Sequence, residues 1–535
     1  MNINSAIKLS IANIMRDGLD DVLPTPFEIN LLRTDTKLKN RLIALSNEKL
    51  SKCLNQAQSS NSFRDALDSL SLVPLSHVLV PKKEAFDFRK IAIIRPEDLA
   101  LYQAVSIILG QPFEKERAKI ARGRIYSYRF KPHFSEGRLF SREHHFRKFQ
   151  HKTAQLCRQA SVKYIVKGDI ANFYDRINIH RIESTLLAMP NVEDQFVKLM
   201  NQILLHWARR DSYGLPIGSN ASRILAEVAL YTVDRSLVEA GIKFIRYVDD
   251  YRIFTNTATE AHASLARLME LLNREGLFIN AKKSSIRRLD IADIEKFNSH
   301  RKEVQAQKIR VREFTIIGGY GGDIPIKFRK PTESSQRKYS TFNLTESLNE
   351  IKKNDFAQPE QLRDVLFTII VQEKFHRLID AYELVEMFPQ FFPFFTDMLI
   401  KNSEHIPTDI KNEIISTFSK KIMSGEYFPE FLEASLIKLL GHEHFFDRNT
   451  ILHVVRNQRR NAGSYLGRTT FDAVQNLNQR GDALDMRDYF DRSNEWERRR
   501  IIKLMSKVLP KQEYLAWRRA IRPYISKDPF ALAIK

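Results

Sequence analysis

Cysteine is almost absent from this sequence, with only Cys53 and Cys157 in 535 residues. Two cysteines cannot build a disulfide framework or a cysteine-rich zinc site, so both of these classes are excluded. Such scarcity is typical of proteins from a reducing compartment. We expect both residues to be buried thiols.

Long apolar runs are also lacking. The most apolar stretch, Leu384–Ile400, is interrupted by Glu386, Pro393 and Asp397 and falls short of the roughly 20 residues of a membrane span. Residues 1–20 do not combine a basic start, an apolar core and a small-residue cleavage site, so we expect no export. The sequence therefore predicts a cytoplasmic protein with no membrane partner.

Acidic residues are in deficit: 64 Asp and Glu stand against 85 Lys and Arg, a net charge of +21. Such a surplus points to a polyanionic partner, with nucleic acid as the first candidate. A basic surface that serves solubility alone is the alternative. The 43% of hydrophobic residues suffices for ordinary cores, and the length predicts two to four domains.

Changes in pattern along the chain divide it into zones. Residues 1–80 have apolar positions at helical spacing, which predicts a helical N-terminal extension. Residues 81–305 alternate β-type runs with helices, which predicts an α+β domain. Residues 306–342 are basic and contain glycines, which favours a hairpin or linker. Residues 343–535 read as successive amphipathic helices, and a helical-repeat stack is our hypothesis for this all-α domain.

Three aspartates carry the most informative pattern. Asp249 and Asp250 lie between two β-type runs, as at a hairpin tip, although a solvated Asp-Asp turn is the simpler reading. Asp169 closes another β-type run, where an acidic side chain needs a compensating cation. Carboxylates from separate strands suit Mg²⁺, and two such ions can stabilise phosphoryl displacement.

These residues belong to an ordered series of motifs that resembles bacterial reverse transcriptases over residues 80–300. The series comprises Asp-Ile-Ala-Asn-Phe-Tyr-Asp at 169–175, Gly-Leu-Pro-Ile-Gly-Ser-Asn-Ala-Ser-Arg at 214–223, Tyr-Val-Asp-Asp at 247–250, and Gly-Leu at 276–277 with Asn-Ala-Lys-Lys at 280–283. Arg-Lys-Ile-Ala-Ile at 89–93 and Ser-Tyr-Arg-Phe at 127–130 resemble finger-region motifs. The resemblance implies a fingers-palm fold for residues 81–305.

The resemblance also implies the catalytic groups. Asp169, Asp249 and Asp250 would be the catalytic carboxylates, with Asp169 and Asp249 the more direct metal ligands. Two Mg²⁺ ions, for which Mn²⁺ can substitute, would also be held by the main chain of Ile170. Tyr174 falls at the family's aromatic gate against the ribose 2′-hydroxyl, although a core tyrosine is the alternative.

The remaining implied contacts are to deoxynucleoside triphosphates. Arg89 or Lys90 could neutralise the triphosphate, and Lys283 could contact a phosphate or donate a proton, although each could instead be a solvated surface cation. The implied nucleotide-binding set is completed by four residues: Phe173, Gly218, Asn220 and Arg223.

Ile217 departs from the pattern of many relatives, which have a glutamine between this proline and glycine. An aliphatic side chain cannot make the hydrogen bonds by which that glutamine positions template and nucleotide. The Pro-Ile-Gly form is similar to the abortive-infection enzymes of antiphage defence, some of which make DNA without a template from a protein hydroxyl. The resemblance then implies a bacterial, homo-oligomeric polymerase with a DNA product. Whether it copies an RNA or DNA template stays open, and the priming residue is unknown.

Two other functions stay open: an RNA-templated enzyme of retron or group II intron type, and a catalytically idle nucleic-acid-binding scaffold. Two basic stretches are candidate nucleic-acid surfaces. Residues 114–163 hold 14 cations against 4 anions with interleaved aromatic rings, and residues 487–522 hold 11 against 5. For the second stretch, a solvated helix face is the alternative.

Overall fold

The computed structural model describes residues 1–82, 88–209, 211–289, 328, 330–331, 333–354, 359–388, 391–425, 429–457 and 463–534. The chain divides into two compact units. The first unit comprises Met1–Leu75 and Ile94–Ile309, and the second comprises Ser76–Ile93 and Arg310–Lys535.

The first unit begins with the helices α1 (Ile3–Asp17), α2 (Phe27–Thr34), α3 (Thr36–Ser60) and α4 (Phe63–Ala66), followed by a short 3-10 helix (Leu67–Leu70). The helix α1 starts after Asn2, whose side chain accepts a hydrogen bond from the Ser5 amide. Its residues Ile7, Ile11 and Ile14 are fully buried, as their helical spacing predicts. They face α5 (Pro96–Ala121), so the N-terminal segment belongs to the same core as the residues that follow.

A four-stranded antiparallel sheet forms the centre of this unit. Its strands are β5 (Tyr164–Asp169), β6 (Phe244–Tyr247), β7 (Asp250–Thr255) and β8 (Ser285–Arg288), in the order β6-β7-β5-β8. A separate ribbon pairs β3 (Phe130–His133) with β4 (Arg138–Phe140).

Helices cover this sheet. The later helices of the unit are α6 (Phe146–Cys157), α7 (Phe173–Arg176), α8 (Ile179–Leu187), α9 (Asp194–Trp207), α10 (Asn220–Ala229), α11 (Tyr231–Glu239) and α12 (Ala258–Arg274). Side chains of α6, including Phe149 and Leu156, form one core cluster with Ile165, Ile245 and Phe254 of the sheet. The helix α12 packs on β5 and β7.

The second unit is mostly helical and also contains the hairpin of β1 (Ser76–Pro81) and β2 (Phe88–Ile93). Its helices are Glu333–Ser340, Leu344–Asn354, Pro359–Val371, Leu378–Met387, Phe392–Lys401, Thr408–Met423, Glu430–Leu440, Arg448–Asn457, Tyr465–Val474, Arg480–Arg487, Glu495–Val508, Lys511–Ala520, Arg522–Ile525 and Pro529–Ala533, with 3-10 turns at Phe375–Arg377 and Glu443–Phe445.

Alternate helices of the second unit pack on one another. Phe392–Lys401 packs on Glu430–Leu440, which packs on Tyr465–Val474, which in turn packs on Glu495–Val508. This is the arrangement of stacked helical repeats, in which each helix contacts its counterpart in the next pair. The described phenylalanines at 391–395 are buried, so this aromatic run packs in the core as we expected.

The predicted fold class, an α+β domain followed by a mostly helical region, is confirmed. The boundaries differ from the zones drawn on the sequence. The hairpin Ser76–Ile93 groups with the C-terminal helices, because β1 contacts Glu430–Leu440 and Tyr465–Val474. Residues 1–75 group with the α+β core rather than forming a separate extension.

The prediction of a hairpin or linker over residues 306–342 is wrong for Glu333–Ser340, which is a helix. Its polar sequence does not predict a helix, and tertiary contacts stabilise it instead. The Tyr339 ring stacks on Phe367 with centroids 5.3 Å apart, and the Tyr339 hydroxyl donates to Asp364 at 3.0 Å. Most of the remaining predicted hairpin lies outside the described residues.

Both cysteines are buried thiols outside any disulfide, as expected, and burial raises the pKa of Cys53. Among the described residues, every helix is too short or too polar to cross a membrane.

Candidate active site

Two of the predicted carboxylates face each other across the sheet. Asp169 ends β5 and Asp250 begins β7, and the two residues are direct partners in the antiparallel register. Directly opposed residues of an antiparallel pair place their side chains on the same face, with Cα atoms about 4.5–5.5 Å apart. The fold therefore brings together two carboxylates that lie 81 positions apart in the chain.

Asp249 lies in the turn between β6 and β7, which confirms the predicted hairpin. Tyr247 pairs with Asp250, and Val248 adopts a left-handed backbone conformation with φ 55°. The ring of Tyr247 packs against Phe146 and Phe149, and burial raises the pKa of its hydroxyl. The turn is thus held on one side by aromatic packing.

Arg246 anchors the same turn from within the protein. Its side chain is fully buried and donates to the Val248 carbonyl at 2.8 Å, to Glu227 at 2.9 Å and to Asp234. Burial alone would lower the pKa of Arg246, but the carboxylates of Asp234 and Glu227 raise it well above its usual value. The guanidinium stays charged and links the turn to helices α10 and α11.

This network was not among the sequence predictions. The available signal was an arginine inside the apolar run 244–247, since a buried cation requires acidic partners. The network extends further, because Arg117 donates to Glu227 at 2.7 Å and Tyr251 donates to Asp234 at 3.0 Å.

Asp250 is engaged by a cation of its own strand. Arg252 donates to both carboxylate oxygens of Asp250, at 2.8 and 2.7 Å. Lys167 faces the same region, and its pKa is lowered by burial and by the nearby Arg252 and Arg287. Both carboxylate oxygens of Asp250 therefore accept hydrogen bonds from an arginine.

The later turn of the motif series lies against the end of β5. The Asn280 amide donates to the Asp169 carbonyl at 2.7 Å, and the Asp169 amide donates to the Ser284 hydroxyl at 3.1 Å. Ile170 forms a β-bridge with Ile279. Lys283 thus lies, exposed, in a turn that is bonded on both sides to Asp169.

Phe173 and Tyr174 follow on the short helix α7. Both rings are buried and make an edge contact with centroids 5.3 Å apart. The Tyr174 carbonyl accepts a hydrogen bond from the Leu215 amide at 2.9 Å, which joins this motif to the glycine-containing turn at 214–218. The two motifs therefore meet in space.

The glycine-containing turn is covered by the N-terminal turn, which we define as residues 17–23. A Cβ built at Gly218 would lie 2.8 Å from the Cβ of Asp20, and the φ of Gly218 is +121°, so glycine alone fits. Asn220 donates to Asp17 at 3.0 Å, and Arg223 donates to Asp21 at 2.6 Å. Sequence reasoning missed this cover, because no local pattern relates residues 17–23 to residues 218–223.

The other predicted positions are dispersed. Arg89 and Lys90 lie on β2, in the second unit. Of the first basic stretch, Tyr126, Phe130 and Phe149 are buried core residues, whereas Phe134 and Phe146 are exposed.

The second basic stretch contains internal ion pairs. Arg499 is buried and donates to Asp528 at 2.8 Å, and Arg500 is buried and pairs with Asp472. These two arginines therefore belong neither to a solvated face nor to an open nucleic-acid surface.

The carboxylates fit a divalent cation in charge and donor type. Within the described parts of the chain, no three Asp, Glu, His or Cys side chains come together as a preformed metal cage. Mg²⁺ is commonly bound by one or two carboxylates, with waters and substrate phosphates completing its octahedron. The opposed pair, with Asp249 in the adjacent turn, is compatible with that mode of binding.

Comparison with known proteins agrees with this geometry. Residues 115–320 match the family model described as reverse transcriptase (RNA-dependent DNA polymerase). No curated protein sequence matches the chain significantly.

Among solved structures, apo telomerase from Candida tropicalis is 12% identical, with a TM-score of 0.30 over 86% of this chain and 69% of that one. A form truncated from its C-terminal domain is 14% identical, with a TM-score of 0.28 over 41% of this chain, which spans about half (51%) of that structure. The structural alignments are weak, whereas the family match covers Asp169, Asp249, Asp250 and Lys283. Residues 115–320 are therefore a reverse-transcriptase domain, and the activity that such a domain carries is nucleotidyl transfer.

Proposed function

We propose that this protein is a Mg²⁺-dependent DNA polymerase that adds deoxynucleotides without a supplied template and starts from a hydroxyl of its own chain. The observation that supports polymerisation is the opposition of Asp169 and Asp250, with Asp249 in the adjoining turn, inside the matched domain.

Asp169 and Asp249 are the proposed direct metal ligands, together with the main chain of Ile170. Asp250, whose oxygens accept from Arg252, is the third proposed carboxylate of the metal site. Bound Mg²⁺ supplies positive charge where negative charge develops on the transferring phosphate. The attacking group is a hydroxyl of the chain in the first addition and the 3′-hydroxyl of the product in each later one. It loses its proton to solvent, its oxygen bonds to the α-phosphorus, the bond from that phosphorus to the bridging oxygen breaks, and pyrophosphate leaves. Lys283, in the turn bonded to Asp169, is the proposed proton donor or phosphate contact.

Two features of the first unit favour synthesis without a template. Ile217 is buried and aliphatic, so it offers no hydrogen bond to a nucleotide or template. Asp20 of the N-terminal turn fills the space against Gly218. Asp17 accepts a hydrogen bond from the Asn220 side chain, and Asp21 accepts one from Arg223. With these contacts in place, Asn220 and Arg223 are engaged by the protein itself rather than by a template.

A second candidate is RNA-templated DNA synthesis of retron or group II intron type. It is favoured by the description of the matched family as an RNA-dependent DNA polymerase. The catalytically idle scaffold is disfavoured by the presence of all three aspartates in the matched geometry.

The cellular role that we propose is antiphage defence by abortive infection, in a bacterial homo-oligomer. It rests on the resemblance of the Pro-Ile-Gly motif to those enzymes and on the mostly helical C-terminal unit. Challenge of cells that carry the wild-type or the Asp249→Asn protein with a panel of phages tests it, and equal plaque numbers would contradict it.

Self-primed synthesis predicts DNA that is covalently attached to the protein. Purified protein given Mg²⁺ and labelled deoxynucleotides alone should yield label that migrates with the chain in a denaturing gel and shifts after protease treatment. Label that migrates as free DNA, or that appears only with added RNA, would favour the templated candidate instead.

The motifs do not identify the residue that supplies the priming hydroxyl. The exposed fraction of each tyrosine side chain provides a first choice. Among the described tyrosines of the second unit, Tyr524 is 52% exposed, whereas Tyr514 and Tyr382 are buried. Tyr524→Phe should abolish attachment, while Tyr514→Phe should preserve it. Attachment that persists in Tyr524→Phe would assign the primer to another hydroxyl, which mass spectrometry of the nuclease-trimmed adduct would identify.

The proposed gate at Tyr174 predicts a change in sugar selection. Removal of the ring in Tyr174→Ala should raise the ratio of ribonucleotide to deoxynucleotide incorporation by about tenfold or more, because the ring no longer clashes with the 2′-hydroxyl. Tyr174→Phe keeps the ring and should keep the wild-type ratio. An unchanged ratio in a folded Tyr174→Ala protein would place the gate elsewhere.

A further inference from the structure

A cleft of about 350 Å³ on the first unit is lined by cations, and none of its described lining residues carries a carboxylate. Its basic side chains are Arg122, Arg124, Lys152 and Lys243. The volume lies within the range of small-ligand sites.

The cleft is built on the edge of the sheet. The Arg246 amide donates to the Arg124 carbonyl at 2.8 Å, and the Tyr126 amide donates to the Arg246 carbonyl at 2.9 Å. Residues 124–126 therefore extend the sheet beside β6, while Lys152 comes from α6 and Lys243 directly precedes β6. The cations are thus carried by ordered backbone.

The described residues do not compensate the positive charge of the cleft. Lys152 contacts Gln155 at 3.0 Å and Lys243 contacts Gln159 at 2.6 Å, so both ammonium groups hold neutral oxygens. In the described part of the chain, no ion pair joins any of the four cations to a carboxylate, and Arg124 donates to the Ile120 carbonyl at 3.4 Å. Cations clustered without counter-charges attract an anion.

The accessible apolar part of the lining comes from Val238 and Ile242, which are partly exposed, above the buried side chains of Leu156, Phe244 and Ile245. A cationic rim over an apolar floor suits a ligand with one charged and one flat, weakly polar part. A nucleoside phosphate has this form, because its base can lie on apolar surface while its phosphate meets the cations.

We propose that this cleft binds a phosphorylated nucleoside, either as one unit of a single strand or as a free nucleotide. The site is distinct from the aspartates. The strand β6 begins at Phe244, which lines the cleft, and ends at Tyr247, next to the turn with Asp249. Because a strand rises about 3.3 Å per residue, the cleft and this turn lie at opposite ends of β6.

Binding is measured without catalysis, in EDTA, by the fluorescence anisotropy of two probes: labelled deoxyadenosine monophosphate and a labelled single-stranded DNA. The test protein is K152Q/K243Q in the full-length chain. The matched control is K52Q/K198Q, which removes the same charge from exposed positions on α3 and α9. Because the assay contains no metal, its outcome does not depend on the proposed polymerase activity.

K152Q/K243Q should weaken binding of at least one probe about tenfold or more, while the control stays within about twofold of wild type. For the strand, the slope of log affinity against log salt should fall by about 0.7 for each lost phosphate contact. Weaker binding of the single-stranded DNA alone assigns the cleft to a nucleic-acid strand. Weaker binding of the monophosphate assigns it to a free nucleotide.

The proposal would be overturned if K152Q/K243Q and K52Q/K198Q weakened probe binding equally. It would also be overturned if the wild-type protein bound neither probe. Displacement of the probes by polyglutamate as readily as by unlabelled DNA would also overturn it, because charge alone would then be recognised.

Discussion

Asp249→Asn is expected to lower nucleotide addition by about a thousandfold or more while the protein unfolds at the wild-type temperature. The substitution removes one negative charge at the proposed metal site with almost no change in volume. Loss of a group that stabilises transition-state charge typically costs 10²–10³-fold, and a direct ligand should cost at least as much. Incorporation of labelled deoxynucleotide over a range of Mg²⁺ concentrations measures the effect.

The matched control is Asp211→Asn, which neutralises an exposed aspartate in a loop of the same unit. It should add nucleotides at the wild-type rate. Asp169→Asn should behave like Asp249→Asn, whereas Asp250→Asn tests whether the carboxylate held by Arg252 is also required. Near wild-type synthesis by Asp249→Asn would remove this residue from the catalytic set.

Arg246→Met is expected to destabilise the first unit by about 3–5 kcal/mol, because it leaves Asp234 and Glu227 buried without one of their cations. It should also lower activity, since the Val248 carbonyl next to Asp249 loses its donor. Calorimetry measures the first effect, and nucleotide incorporation well below the unfolding temperature measures the second.

Two further variants separate stability from positioning. Arg235→Met, on the exposed surface of α11, should change stability by less than about 0.5 kcal/mol. Arg246→Met combined with Asp234→Asn should recover part of the stability, because one buried charge is removed, but should not recover activity. Full activity in the combined variant would show that Arg246 only stabilises the fold.

Local sequence patterns predicted the elements on which the site is built. The β-type runs before Asp169 and around Asp249 form β5, β6 and β7, because alternating burial of β-branched and aromatic residues suits a covered sheet. The same local chemistry correctly placed a hairpin at Asp249 and buried thiols at Cys53 and Cys157. Motif order then predicted a reverse-transcriptase domain, which the family match confirms.

Local patterns did not predict which distant groups meet. The sequence of Glu333–Ser340 favoured a linker, yet a helix forms there because Tyr339 packs on Phe367 and bonds to Asp364. Likewise, the pattern of residues 487–522 favoured surface cations, yet Arg499 and Arg500 are buried, because they pair with Asp528 and Asp472.

By itself the sequence determined the secondary structure of the palm, the identity of its aspartates and the positive charge of the chain, because these depend on residue type and on neighbours within a few positions. Tertiary structure alone decided that Asp169 faces Asp250, that Arg246 holds the turn with Asp249 and that the N-terminal turn covers Gly218. It also decided that the four cations of the cleft share one cavity. Each of these depends on packing between segments far apart in the chain, where burial and charge pairing select one arrangement that no local pattern encodes.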